Sequence, residues 1–393
     1  MKERPCVKNN DVNQVIPARY DRQEKIRGWD QQALLRAHVI VAGAGAIGNE
    51  VIKNLCMAGI GHLTLIDDDI IEISNLSRTI LFKDSDMNQP KAVIAGMRAK
   101  EINPDVQVRA IQGNLFYDVG LGIYRHADLV IGALDNNAAR LHLTVVCSLV
   151  GKPYLDGAMW AFGGEVRWFL NQMGACFECT LSDDDKKNLH ERRSCTGFKR
   201  IDPHSLEIPT TVVTTSIIGG LLVQEAIAYL LGWPIHPSEA IVYDGRARSL
   251  HRSELSQKPD CPNHGAPYDQ IIELEDLPDH ITPKALIQKT YAFYQDRDNP
   301  LVLELGRDCL MGYYCKACDT YEDIGAVLSK IDESTRVCPT CNELRQADII
   351  SQVVEDDSFS DRPLSYFGVP QGEIIAVRSD RVIALYELGY KDS

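Results

Sequence analysis

An apolar run, His38-Val-Ile-Val-Ala42, passes directly into Gly43-Ala-Gly-Ala-Ile-Gly48, and Val51, Ile52 and Leu55 then recur at helical spacing. No other feature constrains the fold of this chain so tightly. Glycines in such a turn let the backbone approach a phosphate, and the following helix offers N–H groups and a positive dipole end. The next apolar run, His62-Leu-Thr-Leu-Ile, ends in Asp67-Asp-Asp69, placing an acidic group where a ribose hydroxyl can be bound. More strand and helix patterns alternate behind it, with strands expected at Val106–Ile111 and Asp128–Leu134 and a helix starting near Pro90. The fold class that follows is α/β, a Rossmann-like, mainly parallel sheet flanked by helices. At this point the loop Gly43, Gly45 and Gly48 fits NAD as readily as ATP.

Charged residues downstream separate the two nucleotides. Asn75 and Arg78 follow the acidic strand end, Lys91 opens a helix, and Asp135 ends another strand. A nicotinamide enzyme has no need of this set. A nucleoside triphosphate does, because cations neutralise phosphate charge and a carboxylate holds Mg2+. The chain carries 41 Lys+Arg against 55 Asp+Glu, a net charge of −14, which argues against nucleic acid or a membrane surface as partner. The apolar run from Ile217 to Leu231 is interrupted by Gly219, Gly220, Gln224 and Glu225 and reads as a buried helix. MKERPCVKNN has no apolar stretch after its charges, which predicts no secretory signal and a cytoplasmic chain with reduced thiols.

At 393 residues the chain predicts more than one domain. Residues 1–15 read as a flexible arm. Residues 16–267 read as an ATP-binding domain that contains a charged loop at 180–209. Residues 268–393 read as a smaller α+β C-terminal docking region with a zinc-ribbon-like insertion at 312–345.

Five ordered motifs carry a family resemblance: Arg19-Tyr-Asp-Arg-Gln23, the loop Gly43–Gly48, Ser74-Asn-Leu-Ser-Arg78, Gln89-Pro-Lys91 and Leu134-Asp-Asn136. From about residue 17 to residue 265 the chain resembles the ubiquitin-activating-type enzymes, which include the MoeB and ThiF sulfur-carrier adenylyltransferases. The resemblance implies that Asp67 binds the ribose and that Asp69 lies close to the nucleotide. It implies that Asn75, Arg78 and Lys91 hold and polarise the phosphates, and that Asp135 holds Mg2+. Arg22 resembles an arginine that reaches the triphosphate from the partner subunit of a homodimer. The implied reaction joins the C-terminal carboxylate of a small, Gly-terminated ubiquitin-like or sulfur-carrier protein to AMP.

The chain has 12 cysteines. Cys176-Phe-Glu-Cys179 and Cys261-Pro-Asn-His264 share one spacing and make a Cys₃His set suited to structural zinc. In the resembling family two C-x-x-C pairs occupy these places, so His264 is a departure. Cys315-Lys-Ala-Cys318 and Cys338-Pro-Thr-Cys341 give a second zinc signature, so two Zn2+ per chain are expected. Cys195 stands apart, in a charged stretch with Arg192, Arg193 and Lys199, cations that favour a thiolate. In the resembling enzymes a crossover cysteine takes the acyl group from AMP as a thioester, and Leu206-Glu-Ile-Pro-Thr-Thr resembles the ubiquitin-fold-modifier activating type. The leading expectation is therefore activation of a ubiquitin-like protein, a thioester on Cys195 and transfer to a conjugating enzyme. A sulfur-carrier adenylyltransferase and an inactive scaffold subunit are the alternatives.

Overall fold

The computed structural model describes residues 16–170, 173–185, 209–295 and 299–391. Its larger sheet has eight strands in the order β3-β2-β1-β4-β5-β6-β7-β8. These are β1 His38–Ala42, β2 His62–Asp67, β3 Gln107–Gln112, β4 Leu129–Gly132, β5 Tyr154–Trp160, β6 Gly163–Phe169, β7 Glu239–Asp244 and β8 Ser249–Glu254. From β3 to β5 every pairing is parallel, and from β5 to β8 every pairing is antiparallel. Val39, Ile40 and Val41 are all buried, as expected of a central parallel strand covered on both faces. The outermost strand β8 is mostly exposed and reads Ser-Leu-His-Arg-Ser-Glu, a polar edge that discourages further pairing.

Helix α1 (Gln31–Arg36) precedes β1, and α2 (Ala46–Ala58) springs from the glycine loop. Helices α3 (Lys91–Ile102), α4 (Leu121–Arg125) and α5 (Asn137–Leu149) complete the parallel half. Helix α1 is short and starts only after Asp30. Ile26 is exposed, and the chain before Asp30 runs through turns. Asp30 caps α1 by accepting from Ala33 N at 3.0 Å. The long apolar helix, Val212–Leu230, begins at Thr211, whose hydroxyl caps it. This helix is long and apolar enough to cross a membrane by length and composition. Here it buries Ile218, Leu222, Val223 and Ala226 in the core shared with α2 and strands β1, β2, β4, β5 and β6.

A second, six-stranded sheet follows. Its path is β11-β10-β13-β14-β9, with β12 also paired to β10. The strands are β9 Ile271–Glu273, β10 Val302–Cys315, β11 Thr320–Val327, β12 Gln346–Val354, β13 Ile374–Arg378 and β14 Ile383–Glu387. One face is covered by the helix Pro283–Tyr294, and Leu286, Ile287, Leu303, Val353, Phe367 and Tyr386 form the core. Strand β10 changes register between Glu304 and Cys309, with Gly306 at φ +67°. This irregularity divides β10 into a half paired with β13 and a half paired with β11.

Candidate nucleotide site and cysteine clusters

The carboxyl ends of β1, β2, β3 and β4 open into one cavity of about 610 Å³. In a parallel sheet the strand ends converge there, and the loops that follow them carry the ligand groups. Of the residues expected at a nucleotide, Gly43, Gly45, Asp67, Asp69, Asn75, Arg78, Lys91 and Asp135 all line this cavity. Gly48 lies beneath the loop, and a Cβ there would sit 1.9 Å from Gly43 O, so only glycine lets α2 pack this close. Gly43 itself has φ +94°, a conformation that glycine adopts without strain. Arg22 is exposed and is not among the residues lining the cavity. Cys195 lies outside the described residues.

The groups are already organised. Asp67 accepts from Ala44 N at 2.6 Å and from Asp69 N at 2.9 Å, so it ties the glycine loop to the acidic strand end. Burial pushes the Asp67 carboxyl up to about 6, against the opposing pull of Lys91 and the two backbone donors. Lys91 is nearly buried and pairs with the more exposed Asp69 at 2.8 Å. Its ammonium is thus held at the cavity wall, where a phosphate can replace the Asp69 carboxylate. Asn75 accepts from Glu72 N at 2.9 Å through its side-chain oxygen, which leaves its amide N–H groups to donate. Arg78 Nη1 donates to Ser74 O at 2.6 Å and is only partly exposed.

Several supporting residues lie outside the sequence motifs. Asn49 is fully buried and donates to Ala44 O at 2.7 Å, while its oxygen accepts from Leu81 N at 2.9 Å. It therefore locks the glycine loop to the segment that follows Arg78. Arg140 donates to Leu134 O at 2.6 Å, immediately before Asp135, and lies 3.4 Å from the buried carboxylate of Asp156. Tyr154 and Arg167 also bind Asp156, so this buried charge is paired and hydrogen-bonded. Asn114 and Phe116 follow β3 and line the cavity, and Asn114 donates to Asp68 at 2.6 Å. Asn114 occupies a strand end like Asp67 and Asp135, which is the signal by which it could have been found.

Both cysteine clusters are assembled. A tetrahedral zinc with Zn–S bonds near 2.3 Å separates its sulfurs by about 3.8 Å. Cys176 lies 3.7 Å from Cys179 and 3.4 Å from Cys261, and Cys179 lies 3.2 Å from His264 Nε2. Cys315 lies 3.6 Å from Cys341, and Cys318 lies 3.9 Å from Cys338. These spacings fit one metal ion per cluster and are far beyond a disulfide bond. Backbone N–H groups of Cys341 and Thr340 bring Cys338 down to about 6, which favours the thiolate that a metal requires.

The sequence pattern of the ThiF family matches residues 20–263. A sulfur carrier protein adenylyltransferase of Thermus thermophilus is 32% identical over 254 residues, covering 62% of this chain and 89% of that protein. Ubiquitin-activating enzyme E1 1 of Triticum aestivum is 40% identical over 152 residues, covering 35% of this chain and 14% of that protein. Among solved structures, Escherichia coli MccB with succinimide shares the fold at a TM-score of 0.53 and 21% identity, covering 64% of this chain and 75% of that one. The matched span holds the whole cavity and three of the four residues of the first cysteine cluster, His264 lying one residue beyond it. That family pattern spans more than half of the chain and takes in the strand–glycine loop–helix and the cavity beside it, so the chain belongs to the ThiF family.

Proposed function

We propose that this chain uses ATP and Mg2+ to adenylate the C-terminal carboxylate of a small, Gly-terminated carrier protein, releasing pyrophosphate. The observation that carries this reading is the convergence of the glycine loop, Arg78, Lys91 and Asp135 on one cavity. A carboxylate is already a nucleophile, so attack on the α-phosphorus needs alignment and charge neutralisation and little acid–base work. Backbone N–H groups at the start of α2 would meet the phosphates. Arg78 and Lys91 would take up the charge that moves onto the leaving pyrophosphate. Asp135, exposed at the cavity, would hold Mg2+, whose role is to neutralise and orient the phosphate oxygens. Asp67 would accept from the ribose, and Arg22 would approach the triphosphate from the second copy in a homodimer.

Relatives named as sulfur-carrier adenylyltransferases match over most of their length, whereas the ubiquitin-activating match spans 152 residues. We therefore place a sulfur-carrier protein first among carriers. Pyrophosphate exchange into ATP, stimulated by a carrier with a free C-terminal carboxylate, tests the reaction; exchange that ignores the carrier would refute it. A second reading adds a thioester on Cys195 and transfer to a conjugating enzyme. Arg192, Arg193 and Lys199 around Cys195 favour it. A Cys195→Ala protein that still forms a thiol-sensitive carrier adduct would remove that step.

We assign one structural Zn2+ to each cysteine cluster. Elemental analysis should find two per chain, falling to one in Cys338→Ser; a wild-type content below one would sink both sites.

A further inference from the structure

The segment joining β3 to β4 has two faces with different neighbours. Its first residues, Gly113 to Phe116, line the nucleotide cavity. The residues that follow are gripped by the second sheet. Arg307 lies within the register change of β10, where the strand is unpaired, and donates to Tyr117 O at 3.0 Å. A bulge of this kind re-aims a side chain out of the ladder. The same guanidinium pairs with Glu373, whose other oxygen accepts from Leu121 N at 3.2 Å. Gly122 N donates to Gly372 O at 2.7 Å. A Cβ on Gly120 would meet the Gly372 carbonyl carbon at 2.3 Å, so the two backbones abut without a side chain between them.

A second connection starts from the short helical turn Leu328–Lys330, which follows β11 between the two cysteine pairs. Lys330 forms an ion pair with Asp118. The other Asp118 oxygen accepts from Asn114 N at 2.8 Å, and the Asn114 amide reaches Asp68 at the cavity. Side-chain and backbone hydrogen bonds thus run without a gap from the second sheet to the cavity wall. The matched family span ends at residue 263, so Arg307, Lys330 and Glu373 lie beyond it.

We propose that Arg307 and Lys330 are positioning residues for the nucleotide, fixing the wall 113–118 from the second sheet. The inference rests on the cavity being the ATP site. Neither residue lines the cavity, so both act through Tyr117, Asp118 and Asn114.

The test is calorimetric titration of the full chain with ATP and Mg2+, with hydrogen exchange of the 113–118 amides as a second readout. Lys330 and Asp118 are 43% and 35% exposed, so Lys330→Ala should weaken ATP by about two- to fivefold. Arg307→Lys keeps the charge and loses the planar fork, and should weaken it by about three- to tenfold. Both should speed exchange at 113–118, and Lys330→Arg should restore the wild-type values. Lys284→Ala breaks a comparable surface pair, with Asp361 at 3.0 Å, and should change neither readout. Should Arg307→Lys fail to fold, Lys330→Ala and Lys330→Arg still decide the matter. Wild-type affinity and exchange in Lys330→Ala would overturn the positioning role and leave the nucleotide site standing. A wild-type chain that does not bind ATP would overturn both.

Discussion

The two sheets meet the nucleotide cavity in opposite ways. Strands β1 to β4 deliver ligand groups to it directly, because parallel strands end together and their loops share one rim. Among the described residues the second sheet supplies none that lines the cavity, since every lining residue precedes position 211. It touches instead the outer side of the segment 113–126. Proximity in sequence to a motif and proximity in space to the ligand are thus separate properties. On the proposed function, the first sheet carries the chemistry and the second sheet supports it.

The sharpest test of that division is Lys91→Ala. An ammonium placed at the developing charge should be worth about 10²- to 10³-fold in pyrophosphate exchange. Support residues should cost a few-fold. Equal losses in Lys91→Ala and Lys330→Ala would break the comparison.

Glycine substitutions probe the same contrast through packing. A Cβ at Gly48 would overlap Gly43 O, whereas nothing lies within 4 Å of a Cβ at Gly220. Gly48→Ala should cost about 1–3 kcal/mol of stability and impair ATP binding. Gly220→Ala, inside the long helix, should stabilise by about 0.4–1 kcal/mol with no change in affinity. Thermal melting and titration of the two proteins check both statements.

Much of the first sheet was legible because its signals are local. The glycine loop and the acidic end of β2 each lie within a few residues, and in the second region the pairs Cys315–Cys318 and Cys338–Cys341 are equally local. Strand β5 and its buried Asp156 were not legible, because that carboxylate is stabilised by Arg140 and Arg167, which arrive from α5 and β6. The Cys176 and Cys261 thiols meet across 85 positions, a pairing that spacing within each motif suggested only as a matched set. Asn49 looks like an ordinary polar residue until the backbone places it against Ala44. Arg307 was invisible for a related reason. Its role depends on a register change in β10 and on contacts with residues 190 positions away.

Asp67 offers a smaller, pH-dependent test. Burial raises its carboxyl from 3.8 to about 6, so folding favours its protonated form. The stability it contributes is fully present below pH 4 and is lost as pH rises through about 6. Wild type minus Asp67→Asn should therefore become more favourable by about 1–3 kcal/mol as pH falls from 7 to 4. Chemical denaturation of both proteins across that range measures it. A difference that shrinks toward low pH would mean that the Lys91 pull outweighs burial.

The central claim is adenylation at the cavity formed by Gly43, Arg78, Lys91 and Asp135. Its most direct test is exchange of labelled pyrophosphate into ATP by the full chain, with Mg2+ and a panel of Gly-terminated carrier proteins. Exchange that requires a free carrier carboxylate, stops when that carboxylate is amidated and falls with Lys91→Ala is the predicted result. Exchange that is absent with every carrier, in a chain that binds NAD more tightly than ATP, would contradict the account.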